Sequence, residues 1–191
     1  MSIVVAVQKD GLVALAADSL STFGSFRVTG ENHRAQKIRA VGDAWLAATG
    51  WGLYEDIIED FLSHHRKLSL SDKPSIFGFF LTLWEDLHKR YPFVNDQCDK
   101  RDDTPFGDLD ASFLVANAGG IYAVASDMSI TKFHQYYAIG SGGNFALGAL
   151  HVLYGQGLSA EEIARRSVET AIAFNVDCGG EVETRTVQLG K

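Results

Sequence analysis

The spacing of apolar residues changes period several times along the chain, and each change marks an element. Ile3 to Val7 is a short apolar run rich in β-branched residues, and Leu12 to Ala17 is a second. Between them, Gln8-Lys9-Asp10-Gly11 ends in an Asp-Gly pair, the residue types that a tight hairpin turn needs. Neither run alternates strictly with polar residues, which predicts strands covered on both faces. Gln36 to Val41, a Gly42-Asp43 turn and Ala44 to Thr49 predict a second hairpin. The period then becomes helical. From about Tyr54 to Leu68, residues Ile57, Ile58, Phe61 and Leu62 share one stripe, opposed by Glu55, Glu59 and Asp60. Pro74 opens a further helix, which carries Phe77, Phe80, Leu81, Trp84 and Leu87 toward Tyr91-Pro92.

Asn95 to Asp110, with six Asp, is predicted as an acidic loop. Ser112 to Ala116, the turn Asn117-Ala118-Gly119-Gly120 and Ile121 to Ala125 make a third hairpin, with one more strand over Lys132 to Ile139. A helix follows Gly140-Ser141-Gly142-Gly143 and carries Phe145, Leu147, Leu150 and Leu153. The capping box Ser159-Ala160-Glu161-Glu162 starts another, running to about Phe174, and Val182 to Leu189 alternates as a final strand. Strands joined by hairpins, with helices in pairs, predict an α+β class of antiparallel sheets flanked by helical layers. Strands apolar on both faces suit two sheets packed face to face with the helices outside. The two strand-rich blocks, each followed by a helix pair, hint at a pseudo-repeat within one domain spanning residues 1–191.

Composition narrows the function. The chain has 191 residues, 46% apolar and 21% charged, an ordinary globular balance. Its net charge is −7, without the clustered Lys and Arg that a phosphate backbone demands, so nucleic acid is not an expected partner. No apolar run approaches the ~20 residues of a membrane span, and the N-terminus lacks the basic start of a secretory leader. Two cysteines, Cys98 and Cys178, make no disulfide framework, which suits a reducing cytoplasm. The six histidines are scattered, and the adjacent His64-His65 lack the i, i+4 spacing of helical metal ligands. No metal is expected. The glycines of residues 140–143 fail the dinucleotide spacing, because Phe145 stands where the third glycine belongs, so no cofactor is expected either.

Several local motifs recur in a known order. A hydroxyl residue follows Met1, then come IVVAVQKDGLVALAADS, Gln36-Lys37-Ile38 before a strand, the block AATG, and IGSGGNFALGAL leading into LSAEEIARRSVE. Together these resemble the bacterial proteasome-like β-subunits related to HslV, within the N-terminal-nucleophile hydrolases, over nearly the whole chain. The resemblance implies a four-layer αββα sandwich. It also implies a self-compartmentalising peptidase acting on unfolded polypeptide, built as a stacked double ring, with an unfoldase as a possible partner. Removal of Met1 would give Ser2 both a hydroxyl and a free α-amine of pKa ~7.7–8.0, near enough to working pH to act as its own general base. By the same resemblance, Lys37 lies beside Ser2, Asp18 pairs with Lys37, and Ser141 shuttles the proton. Thr22 holds substrate backbone. The oxyanion donor falls at the first position of Ala47-Ala48-Thr49-Gly50, making Ala47 the expected N–H and Gly50 the second candidate, with Thr49 and Gly50 also expected to bind substrate.

The chain departs from the family pattern before its last strand. Where members carry D-x-x-S-G, this chain reads Asn175-Val176-Asp177-Cys178-Gly179, so an amide replaces the acid and a thiol the hydroxyl. Neither stabilises a protonated amine as well. Trp45, two residues before Ala47, falls at the base of the family's specificity pocket and predicts a preference for small residues at the cleaved position. Two other readings suit the same residues: a ring-forming subunit of weak or no activity, and an amidase of the same superfamily acting on a small amide.

Overall fold

The computed structural model describes residues 2–24, 26–28, 30–91 and 109–190. Most of the predicted acidic loop, 95–108, lies outside the described residues. The opening apolar runs form β1 (Val4–Lys9) and β2 (Leu12–Asp18), joined at Asp10-Gly11. With β10 (Tyr136–Ile139) and β11 (Val182–Gln188) they build a four-stranded antiparallel sheet in the order β10-β1-β2-β11. A five-stranded antiparallel sheet runs in sequence order: β5 (Ile38–Val41), β6 (Ala44–Gly50), β7 (Ala111–Asn117), β8 (Gly120–Val124) and β9 (Ile130–Phe133). Among the described residues, β3 (Thr22–Phe23) and β4 (Phe26–Arg27) form a two-stranded hairpin that pairs with neither larger sheet.

Three apolar clusters hold four layers together. The outermost packs Ile57, Phe61, Phe79 and Phe80, of helices α1 (Leu53–His64) and α2 (Lys73–Arg90), against Leu46, Phe113 and Val115 of the larger sheet. The middle one lies between the sheets, where Val4, Ala6, Leu15 and Ala17 meet Ile38, Ala47 and Leu114. In the third, Ile3, Val5 and Ala16 meet Leu150, Ile163 and Val168 of α3 (Gly143–Tyr154) and α4 (Ala160–Phe174). Odd and even residues of β1 therefore serve different clusters, the double coverage predicted from its unbroken apolar run. This is the αββα sandwich.

The structure differs from the sequence expectation in three places. The single strand predicted over Lys132 to Ile139 is two, bent at His134-Gln135, because the chain leaves one sheet there and joins the other. Helix α1 stops at His64 and α2 starts at Lys73, where Asp72 caps it by accepting a hydrogen bond from Ser75 N–H at 2.8 Å. Phe77 and Leu81, expected on the buried stripe of α2, are exposed, and Ile76, Phe79 and Leu83 fill the core in their place.

Candidate active site

Residue 2 stands at the threshold of β1, and the two-residue period puts it on the same face as Val4 and Ala6, toward the five-stranded sheet. Ser2 is buried and lines a cleft of about 650 Å³ together with Thr22, Thr49, Gly50, Trp51 and Ser141. Its carbonyl accepts hydrogen bonds from Ser141 Oγ and Gly142 N–H, each at 3.4 Å. Gly140 makes this approach possible: its φ is +99°, and a Cβ there would sit on the Ser2 carbonyl oxygen.

Behind Ser2 lies a buried ion pair. Lys37 Nζ donates to Asp18 Oδ1 at 2.6 Å and to the Leu20 carbonyl at 3.0 Å, with both charged side chains almost wholly excluded from solvent. The same Oδ1 accepts Ile3 N–H at 3.0 Å, and Oδ2 accepts Gly179 N–H at 3.0 Å. A buried carboxylate is tolerable only when so satisfied. Asp18 closes β2, Lys37 immediately precedes β5, and residue 179 precedes β11, so three segments converge on one carboxylate. One oxygen of that carboxylate joins the ammonium to the backbone of the residue that follows Ser2.

Cys178 is buried against this cluster, its Sγ close to Gly142. Burial and the neighbouring Asp18 charge push its thiol pKa up to about 11, against the opposing pull of the Ser141 hydroxyl and Lys37. Asn175 spends its side-chain oxygen on Asp177 N–H at 2.8 Å, so it shapes the turn that presents Cys178 and Gly179.

Two expected positions are corrected. Ala47 is fully buried between the sheets, paired with Ile38 and Leu114, and does not line the cleft. Because Ala48 N–H bonds the Lys37 carbonyl on the β5 side, alternation aims the Gly50 N–H to that side, where β5 has already ended. The backbone donor at the cleft is therefore Gly50. Its φ of +145° and the Asp110 carbonyl only 2.5 Å from where a Cβ would stand require glycine. Trp45 is likewise absent from the cleft. Its indole N–H donates to the Thr186 carbonyl at 3.0 Å, and the Arg185 guanidinium lies 5.5 Å above its ring, which ties β6 to β11 away from Ser2. The small-residue preference argued from Trp45 loses its basis. Gly179 and Trp51 were missed as site residues, although the Gly179-Gly180 pair was a visible turn signal.

Two stacked antiparallel sheets between helical layers, with a strand-initiating hydroxyl residue beside a buried Lys–Asp pair, define the N-terminal-nucleophile hydrolase class. The chain is 30% identical over 186 residues to the ATP-dependent protease subunit HslV of Desulfovibrio desulfuricans, covering 96% of each. It is 29% identical over 190 residues to HslV of a Caulobacter species, covering 96% of this chain and 92% of that one. The solved structure of Thiobacillus denitrificans BPH in complex with epoxomicin superposes with a TM-score of 0.88 at 30% identity, covering 99% of this chain and all of that one. HslV from Trypanosoma brucei shares the fold, with a TM-score of 0.69 at 18% identity. No protein-family model matches. The chain belongs to the HslV family of bacterial proteasome-like β-subunits, which are peptidases. Among the described residues, no helix is long and apolar enough to cross a membrane, and no group of three or more His, Cys, Asp or Glu is placed to hold a metal ion.

Proposed function

We propose that this chain hydrolyses peptide bonds with Ser2 as nucleophile, once Met1 has been removed. The observation that carries the proposal is the Asp18 carboxylate, which holds on one oxygen the Lys37 ammonium and the N–H of Ile3, the residue next to the cleft-lining Ser2. The freed α-amine takes the proton as Ser2 Oγ attacks the substrate carbonyl. A positive Lys37 nearby stabilises the developing alkoxide and keeps the amine neutral and basic. Gly50 N–H stabilises the oxyanion. The C–N bond then breaks, the leaving amine receives the proton, and water cleaves the Ser2 ester by the same route in reverse. Thr22 and Thr49 hold the substrate main chain, and the Ser141 hydroxyl relays the proton.

The substrates are unfolded polypeptides or peptides, enclosed in a stacked double ring of copies of this chain. The relatives' name, an ATP-dependent protease subunit, supports an ATP-driven unfoldase as partner. Intact mass of the purified protein is the first test, and a deficit of one methionine is expected. Epoxomicin, held by the T. denitrificans relative, is the second. Its adduct should map to Ser2 and vanish in Ser2→Ala. Retention of Met1 would leave Ser2 with an amide in place of a base, and would favour an inactive ring-forming subunit.

A further inference from the structure

The β3–β4 hairpin supplies Thr22 and Gly24 to the cleft wall yet belongs to neither large sheet. Two pairs of residues, Thr22 with Arg27 and Phe23 with Phe26, do not make an independently stable hairpin, and both phenylalanines are exposed. Something else must hold this wall. The Arg27 guanidinium reaches from β4 to the turn after α4, donating to the Val176 carbonyl and, at 3.3 Å, to the Cys178 carbonyl. That turn is itself fixed: Cys178 N–H bonds the Asn175 carbonyl at 3.1 Å, and Gly179 N–H bonds Asp18 Oδ2 at 3.0 Å. One nitrogen of this permanently charged group, Nη2, serves both carbonyls and so ties the hairpin to the turn at a single point.

We infer that Arg27 is a positioning residue for substrate binding: it clamps the Thr22 wall of the cleft to the turn that braces Asp18. The inference rests on the reading of the cleft as the peptide site, and it predicts a division of labour. Arg27 acts on how peptide is held, and the Ser2–Lys37–Asp18 cluster acts on the bond.

Two measurements test it on the full-length protein. In Arg27→Ala, hydrogen exchange should speed up over residues 22–28 and 176–179, with the opening β1–β2 hairpin unchanged. Unchanged exchange in those two segments overturns the tie, and does so whether or not Ser2 is the nucleophile. In kinetics, Arg27→Ala should raise KM for peptides by about tenfold or more, the scale of a lost charge-assisted contact. Sulfonylation of Ser2 by phenylmethylsulfonyl fluoride, which needs no peptide contact, should change less than twofold. Arg27→Lys should restore part of KM, since the ammonium keeps the charge and the N–H donors on a shorter stem. Equal loss in both reactions, or an unaltered KM, overturns the positioning role. A wild-type chain that neither labels at Ser2 nor cleaves peptide refutes the Ser2 reading and leaves the exchange result to decide the tie.

Discussion

Asp18 gives both carboxylate oxygens to buried donors: the Lys37 ammonium, Ile3 N–H and Gly179 N–H. Replacing it by Asn keeps the shape and removes the charge, which leaves an ammonium stranded where water does not reach. Asp18→Asn should lose ~3 kcal/mol of unfolding free energy in urea titrations, at the low end for breaking a buried pair, and should lose peptide hydrolysis with it. Cys178 gives a second check. Because burial raises its thiol pKa to about 11, it stays protonated at pH 8, and iodoacetamide should modify it only after denaturation, as read by peptide mass mapping. The sign for stability follows. An unfolded thiol ionises near its ordinary value of 9.0 while the folded one does not, so stability should fall as pH climbs from that range toward about 11. Several residues gathered here, Ser2, Asp18, Lys37, Thr22, Thr49, Gly50 and Ser141, are nameable from the sequence by the family's motif order. Ala47 and Trp45 are not correctly placed that way. Ala47-Ala48-Thr49-Gly50 is uniformly small and strand-compatible, so nothing in it tells where β5 stops covering β6. The exposed donor depends on that end point.

At the scale of elements, periodicity carries most of the information, and tertiary constraints carry the remainder. The hairpins β1–β2, β5–β6 and β7–β8 and the four helices follow from apolar spacing and from Asp-Gly, Pro and capping signals. The β3–β4 hairpin was not legible, since each strand has two residues and no burial pattern to reveal it. Nor was the break between β9 and β10, because the residues on both sides favour strand and only membership of different sheets forces the bend. Local signals remain testable where they stand alone. Ser159 Oγ accepts Glu162 N–H at 3.2 Å at the start of α4, so Ser159→Ala should lower stability by ~1 kcal/mol in the same titration. The junction between β10 and α3 is less forgiving. Gly140→Ala introduces a Cβ at φ +99° against the Ser2 carbonyl, and should displace residue 2. The expected result is lost epoxomicin labelling with far-ultraviolet circular dichroism unchanged, because the strain falls on the site and spares the cores.

Among the described residues, the buried apolar side chains fall into three clusters, and large apolar side chains still lie outside them. Phe174 and Val176 are 69% and 77% exposed, and Phe145, itself exposed, stacks on Phe174 with ring centroids 5.8 Å apart. Single exposed apolar residues need no explanation, but an aromatic pair beside an exposed valine on the α3–α4 layer forms a patch that soluble chains tend to cover. The ring of copies proposed above would cover it without any further partner, and the net charge of −7 opposes indiscriminate aggregation of the same surface. Phe174→Asp places a charge in that patch while touching none of the three cores, so folding should survive and assembly should not. Size-exclusion chromatography with light scattering should move the variant from a multimer to the 20.8 kDa chain, with its melting transition retained. A variant that keeps the wild-type mass would mean that another surface carries the assembly. Since the cleft wall at Thr22 and the Lys37–Asp18 pair are both built within one chain, the dissociated variant should still label at Ser2 with epoxomicin. Labelling that disappears on dissociation would mean that a neighbouring copy completes the site.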